Sequence, residues 1–348
     1  MFLKKILLDH YRNYGRQEFV FSAGFNLIIG PNASGKTNLM EAIYLLSSGN
    51  SFRAGKVAET VNYCSQVAHV KGIIAFNEEE VNLAVVLTRG ELNGQKVRQR
   101  KFSLDGTAKS KSNFVGHFLS VLFRPEDLEI IIDSPSLRRR FLDEVLRQSN
   151  REYYRADLSY RKGLRSRNKI LEQIREGTTT EKALYFWDRL LIKNGQLITR
   201  QREELLDFLN QQKSIFGKLS IQYKKNIISE KRIEEKRQTA IRAGITLVGP
   251  HRDDFAVFEG GKRNLAVFGS RGEQRLGVLW LKLGQLAYLE KVKEAQVVLL
   301  LDDIFSELDK AHRQMVLDAI DHRQVIASSA TPLTFPNKVR LIDLSNLA

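Results

Sequence analysis

Residues 25–38 read FNLIIGPNASGKTN, an apolar run that ends in a glycine-rich loop. Asn26 to Ile29 suit a buried strand. Leu39, Ile43 and Leu46 recur at helical spacing, with Met40 and Tyr44 beside them, so a helix follows the loop. Between the two, Gly30, Pro31, Asn32, Ala33, Ser34, Gly35, Lys36 and Thr37 fit G-x-x-x-x-G-K-[ST] at every fixed position, and Asn38 closes the stretch. Glycines in that setting let backbone N–H groups turn toward phosphate oxygens, and the helix N-terminus adds positive partial charge. Lys36 would reach the β- and γ-phosphates of a nucleoside triphosphate such as ATP, and the Thr37 hydroxyl would ligate Mg²⁺.

A second apolar run, Val297 to Leu301, ends in Asp302-Asp303. A buried strand of that kind pushes a carboxylate to its C-terminal edge, where Asp302 can hold Mg²⁺ and Asp303 can polarise an attacking water as general base. Ser270-Arg271-Gly272-Glu273-Gln274-Arg275 stands where a strand, Leu265 to Phe268, is expected to turn into a helix carrying Leu276, Leu279, Trp280, Leu283 and Leu286 inward. Ser270 is an N-cap candidate, and the free N–H groups at such a helix start can also bind a γ-phosphate. Ser306-Glu307-Leu308-Asp309 follows the Asp302 strand, and Gln324 to Ala327 is a further core strand before Ser328-Ser329. Near the N-terminus, strands are expected at Phe2–Leu8 and Glu18–Phe21. The polar corner His10-Tyr11-Arg12-Asn13-Tyr14 lies between them, where Arg12 could meet phosphate and Asn13 a polar edge of the nucleotide.

At 348 residues the chain can bury a large core and form about two domains. Lys plus Arg number 55 against 40 Asp plus Glu, a net charge of +15 that favours a polyanionic partner, nucleic acid before membrane. A single cysteine, Cys64, excludes an internal disulfide and any CxxC metal site. No apolar run approaches the ~18 residues of a membrane span. Charges interrupt the apolar N-terminus MFLKKILLDHYRNYG, so it does not read as a secretory signal. A cytoplasmic protein is expected.

Alternating strands at Val70–Phe76, Val81–Thr88 and Val97–Leu104, with Asn93-Gly94 and Asp105-Gly106 as turn signals, predict an antiparallel meander. From Ser134-Pro135 the texture turns helical. One long pattern runs from Leu137 to Ile174, with interruptions, and a second from Glu181 to Leu209, joined at Gly177 to Thr180. These should be antiparallel neighbours. Their exposed faces should carry much of the basic surplus, with Arg138, Arg139, Arg140, Arg161 and Arg165 as candidate nucleic-acid contacts. Strands at Leu219–Tyr223, Ile245–Val248 and Phe255–Phe258 flank a helix over Glu230–Arg242 that Gly244 closes. His251 has no second ligand at helical or loop spacing.

Phosphate loop, SxGxQ signature, VVLLLDD and SELD, in this order, resemble the ATP-binding-cassette (ABC) head of structural-maintenance and Rad50-type proteins. Tyr11-Arg12-Asn13-Tyr14, Gly30-Pro31-Asn32, Thr37-Asn38 and Phe123-Arg124-Pro125-Glu126-Asp127-Leu128 narrow the resemblance to the RecF family of DNA replication and repair proteins. So do Arg139-Arg140-Phe141-Leu142-Asp143, Gly249-Pro250-His251-Arg252-Asp253-Asp254 and Asp302-Asp303. The resemblance implies an α/β fold: an ABC-type P-loop ATPase head, residues 1–133 with 245–348, carrying the antiparallel β meander. Residues 134–244 would form an inserted, basic, mainly α-helical domain. It implies an ATP-dependent homodimer arranged head to tail, in which Ser270, Gly272 and Gln274 of one chain meet the ATP held by Lys36 of the other. It also implies slow ATP hydrolysis, a grip on DNA at single-strand/double-strand junctions, and mediator partners of the RecO and RecR type. Arg271 replaces the glycine usual after the signature serine, no histidine follows the last core strand, and Asp303 stands where many cassettes have Glu. All three should weaken hydrolysis or change its trigger. A transporter cassette would lack the basic helical hairpin between the two halves. A cohesin- or Rad50-like structural ATPase would need sustained heptads far longer than residues 135–210 supply.

Overall fold

In the computed structural model the loop strand, Phe25–Ile29, lies inside a five-stranded sheet. The order is Ser120–Phe123, Val298–Asp302, Val325–Ser329, Phe25–Ile29, Val339–Asp343, and every pairing is parallel. The structure describes residues 1–76, 79–212, 217–306, 313–314, 323–330 and 339–345; Glu307, Leu308 and Asp309 of the SELD stretch lie outside them. The strands Ser120–Phe123, Val298–Asp302 and Val325–Ser329 are buried at every position, which is why they lack the apolar–polar alternation of a half-exposed strand.

The second sheet is antiparallel and six-stranded: Arg16–Val20, Phe2–Asp9, Val67–Phe76, Glu79–Thr88, Arg100–Leu104, Thr107–Lys109. The meander therefore continues into the N-terminal hairpin. The strand expected from Val97 starts only at Arg100, because Glu91–Leu92 and Gln95–Lys96 pair separately around Asn93-Gly94. Both turn signals hold: Asn93 and Gly94 have φ of 50° and 77°, Asp105 and Gly106 of 46° and 74°. Two successive positive φ values are the geometry a two-residue hairpin turn needs.

Helix Lys36–Ser48 lies between the two sheets, so it is buried on nearly all sides, including Glu41 and Ser47. Toward the parallel sheet the Ser47 and Ser120 hydroxyls are 2.6 Å apart. Toward the antiparallel sheet Gly72 makes room for Leu46: a Cβ there would meet Leu46 Cδ1 at 2.5 Å. Buried Gln324 ties the sheets together, accepting from the Leu3 N–H at 2.7 Å and donating to the Leu3 carbonyl at 2.8 Å.

The chain divides into two units, Met1–Asp127 with Gln285–Ala348, and Leu128–Gly284. The sequence boundaries at 133/134 and 244/245 differ from this division, since residues 245–284 belong to the helical unit. Strand Asp254–Glu259 pairs antiparallel with Leu219–Lys224, and Arg202 bonds Asp253, which ties this stretch to the helices. Within the helical unit the first long helix is two, Pro135–Ser149 and Arg151–Arg175. Asn150 makes the break, its side chain accepting from the N–H groups of Glu152 and Tyr153 at 2.8 and 3.1 Å. The partner helix is Tyr185–Gln211. Helix Glu230–Ala243 ends at Gly244 with φ 68°, as expected. Residues 245–248 are irregular rather than a strand, and Leu265–Phe268 is a helical turn capped by Asn264. Four apolar residues without cross-strand partners did not distinguish turn from strand. No described helix is long and apolar enough to cross a membrane.

Candidate nucleotide-binding site

The parallel register sets the site. Asp302 pairs with Ser328, and Ser328 with Ile28 on the loop strand, so three adjacent strand ends present the carboxylate, a hydroxyl and the loop side by side. They border a cavity of about 390 Å³ lined by the loop, Asp302, Asp303, Ser328 and Arg53. Gly35 has φ 107°, and a Cβ on it would meet the Tyr14 hydroxyl at 2.6 Å and Asn13 Nδ2 at 2.9 Å, so only glycine fits. The helix after it starts without a side-chain cap or a first-turn acid of its own, so its first N–H groups keep no side-chain acceptor from the cap position.

Lys36 Nζ folds back over the loop, donating to the carbonyls of Gly30 at 2.7 Å and Pro31 at 2.9 Å. The Thr37 hydroxyl donates to Asp302 Oδ1 at 3.3 Å, and the Ser328 hydroxyl to the same oxygen at 2.7 Å. Burial pushes the Asp302 carboxyl up from its ordinary value, against those two hydrogen bonds. Asp303 has φ 54°, and its N–H donates to Ser328 Oγ at 3.0 Å, so one serine positions both aspartates. A hydroxyl and a carboxylate converging beside a phosphate loop are the donor set Mg²⁺ takes there, so Thr37 and Asp302 fit that ion.

The polar corner is only partly at the site. Asn13 touches the loop, donating to the Ser34 carbonyl at 3.4 Å and accepting from Asn38 Nδ2 at 2.8 Å. Arg12 is spent on architecture: Nε and Nη2 each reach buried Glu41 at 2.7 Å, and Nη1 reaches the Glu59 carbonyl. Glu41 also accepts from the Ser51 hydroxyl, which caps the N–H groups of Arg53 and Ala54. Arg53 and Ser328 are the site residues sequence reasoning missed. Arg53 sits in an aperiodic stretch. Ser328 marks itself in the sequence only as a serine after the last core strand, where a histidine is usual.

The signature belongs to the helical unit and starts helix Arg271–Lys293. Ser270 and Glu273 form a reciprocal cap: the Ser270 N–H donates to Glu273 at 2.7 Å and the Glu273 N–H to Ser270 Oγ at 3.3 Å. Bonds from Arg263, then Ser270, hold the Glu273 carboxyl down at about 2. Ser270, Arg271 and Gly272 face solvent, and so do Val267 and Phe268 just before them. Gln274 turns inward instead, donating to the Leu265 carbonyl at 3.0 Å.

Most of the candidate DNA contacts are consumed internally. Arg138 grips Asp254 at 2.6 and 3.2 Å, Arg139 donates to the Asp253 carbonyl, and Arg161 bonds Asp157 and Asp143. Asp143 and Asp253 belong to a buried network centred on Arg202, which reaches Asp143 at 2.7 Å, Asp253 at 3.1 Å and the Pro250 carbonyl at 2.8 Å. Arg202 and its neighbours hold the Asp143 carboxyl down at about 2 even though it is buried. Arg140 and Arg165 remain exposed, Arg140 with Glu144 at 3.6 Å. His251 bonds Tyr160 at 2.8 Å and the Thr246 carbonyl at 3.1 Å.

Residues 2–346 match the family described as the RecF/RecN/SMC N-terminal domain. The DNA replication and repair protein RecF of Caldanaerobacter subterraneus subsp. tengcongensis is 36% identical over 344 residues, covering 92% of each chain. That of Bacillus cereus (strain AH820) is 34% identical over 343 residues, 92% of this chain and 89% of its own. The solved recombination mediator protein RecF of the RecFOR pathway, in its RecF-ATP form, is similar at TM-score 0.87 and 33% identity over 96% of this chain and 93% of that one. An Smc head domain with a coiled coil and joint derived from Pyrococcus yayanosii shares the fold at TM-score 0.50 and 14% identity, over 94% of this chain and 92% of its own.

Proposed function

The chain belongs to the RecF family, and from that premise we propose that it is an ATP-driven, DNA-binding switch of recombinational repair and replication restart. The observation that carries the reading is the meeting of Lys36, Thr37, Asp302, Asp303 and Ser328 around one cavity, from opposite ends of the sequence. The triphosphate would lie along the N–H groups of Gly30 to Thr37, and Lys36 would exchange the Gly30 and Pro31 carbonyls for β- and γ-phosphate oxygens. Thr37 and Asp302 would hold Mg²⁺, which when bound neutralises phosphate charge. Ser328 keeps Asp302 aimed at the metal position and fixes Asp303 one residue on, where its carboxylate can take a proton from the attacking water.

The second half of the site comes from another copy. Ser270 and Gly272 are exposed at a helix start, and exposed Val267 and Phe268 beside them offer apolar surface for a partner to cover. Two chains thus close head to tail around two ATP molecules and grip DNA. Hydrolysis is slow, with Arg271 after the signature serine and a serine where a switch histidine would stand. RecO- and RecR-type mediators read the ATP-closed dimer. The described helices support this over a long-armed structural ATPase: the hairpin helices, of 25 and 27 residues, are too short for a sustained coiled coil. Sedimentation with a gapped duplex tests the reading. A dimer that co-sediments with the duplex should form only with ATP and Mg²⁺. A chain whose mass and DNA binding ignore ATP contradicts it.

A further inference from the structure

Helices Arg151–Arg175 and Tyr185–Gln211 approach closely at Gly163, where a Cβ would meet Leu190 at 2.5 Å and Leu191 at 3.4 Å. Beside that contact opens a groove of about 560 Å³ whose lining includes Ser159, Tyr185, Phe186, Arg189, Lys193 and Asn194. That volume is in the range of small-ligand sites. None of its lining residues is acidic. Tyr185 is 67% exposed and Phe186 62%, and Leu158, next to Ser159, is 50% exposed. Ring faces of that size turned to water at one place are not what a merely solvated helix pair needs. The Arg189 guanidinium lies 5.6 Å from the Tyr185 ring centroid. On the facing helix the exposed Arg155 and Lys162 stand about one turn on either side of Ser159. Arg155, Lys162, Arg189 and Lys193 make no ion pair among the described residues, whereas Arg138, Arg161, Arg167 and Arg202 all do.

Exposed rings interleaved with unpaired cations suit a flexible polyanion that carries flat rings of its own. A duplex offers phosphates but keeps its base faces stacked away; a single strand offers both. We propose that this groove binds unpaired bases of single-stranded DNA, which stack on Tyr185 and Phe186 while Arg189, Lys193, Arg155 and Lys162 follow the phosphates. The inference rests on the DNA-binding reading above and gives it a strand-selective contact separate from the phosphate loop.

Fluorescence anisotropy on the full chain, with ATP and Mg²⁺, tests it using three probes: oligo-dT, an abasic deoxyribose-phosphate strand of equal length, and a blunt duplex. Wild type should bind oligo-dT about tenfold more tightly than the abasic strand. Tyr185→Ala with Phe186→Ala should erase that preference and leave duplex affinity within about twofold, a reduction to phosphate contacts alone. Arg189→Gln with Lys193→Gln should weaken both single strands alike. Tyr185→Phe with Phe186→Tyr should keep the preference, which separates ring stacking from any effect on folding. A wild type that does not distinguish the two strands, an alanine variant that still does, or one that loses duplex along with strand overturns the groove assignment and leaves DNA binding standing. A wild type that binds none of the three probes overturns both.

Discussion

The phosphate pocket and the core of the helical unit are both built from charged motif residues, and they use them in opposite ways. In the pocket, among the described residues, Lys36 donates to loop carbonyls, Asp302 accepts from two hydroxyls, and the helix start has no side-chain cap. In the helical unit, Arg202, Asp143 and Asp253 close a network in which each charge meets an opposite one in the interior. A motif poised for a ligand keeps donors and acceptors turned toward a cavity. A motif that serves architecture consumes them. The arginine-rich stretches of the sequence therefore divide: Arg138, Arg139, Arg161 and Arg167 serve as scaffold, while Arg140, Arg155, Lys162 and Arg165 stay exposed on the same helices.

The largest expected effect strikes the scaffold side. Arg202→Met removes the buried guanidinium that Asp143 and Asp253 share and should cost about 3–5 kcal/mol in urea unfolding; a loss below about 1 kcal/mol would mean the network is dispensable. Next comes acid sensitivity. Burial holds the His251 imidazole at about 4, well below its ordinary 6.5. A base whose folded value is depressed contributes stability that is complete above pH 6.5 and drains away as the pH falls toward 4. The full difference is about 3 kcal/mol. His251→Gln should flatten the change in melting temperature across that window, and an unchanged slope would assign it to other groups. On the pocket side, Asp303→Asn should slow ATP turnover about 100-fold, roughly 2.7 kcal/mol of barrier, while ATP binding and the closed dimer persist. Turnover at the wild-type rate removes Asp303 from the chemistry. The smallest effect sharpens the contrast from outside: Arg140→Gln with Arg165→Gln changes only exposed side chains. It should weaken duplex binding by about threefold at low salt and leave unfolding unchanged.

Much of the head could be read in the sequence because its signals are local. The phosphate loop needs its glycines, and Phe25–Ile29 and Val298–Asp302 are continuous apolar runs. Asn93-Gly94 and Asp105-Gly106 require the turns they make. What escaped depends on partners distant in sequence. Arg138 and Arg139 look like a solvated basic face until Asp254 and the Asp253 carbonyl, more than a hundred residues on, arrive beside them. Arg12 sits next to the loop in sequence logic, yet Glu41 claims its guanidinium. Ser328 acquires its role only from the strand order that sets it between Asp302 and the loop strand. Asn150 is the exception: a capping residue ahead of Glu152 was a local signal for the helix break, and the continuing hydrophobic period masked it.

The central claim is that each nucleotide site is shared between two chains, the loop from one and the signature from the other. Sedimentation velocity with ATP and Mg²⁺ on Lys36→Met and Ser270→Arg chains, each alone and then mixed in equal amounts, tests it directly. Each variant alone should remain monomeric. The mixture should form dimers, because a mixed pair keeps one intact site, with Lys36 from the Ser270→Arg chain and Ser270 from the Lys36→Met chain. Monomers throughout the mixture, or dimers in either variant alone, would contradict the shared site.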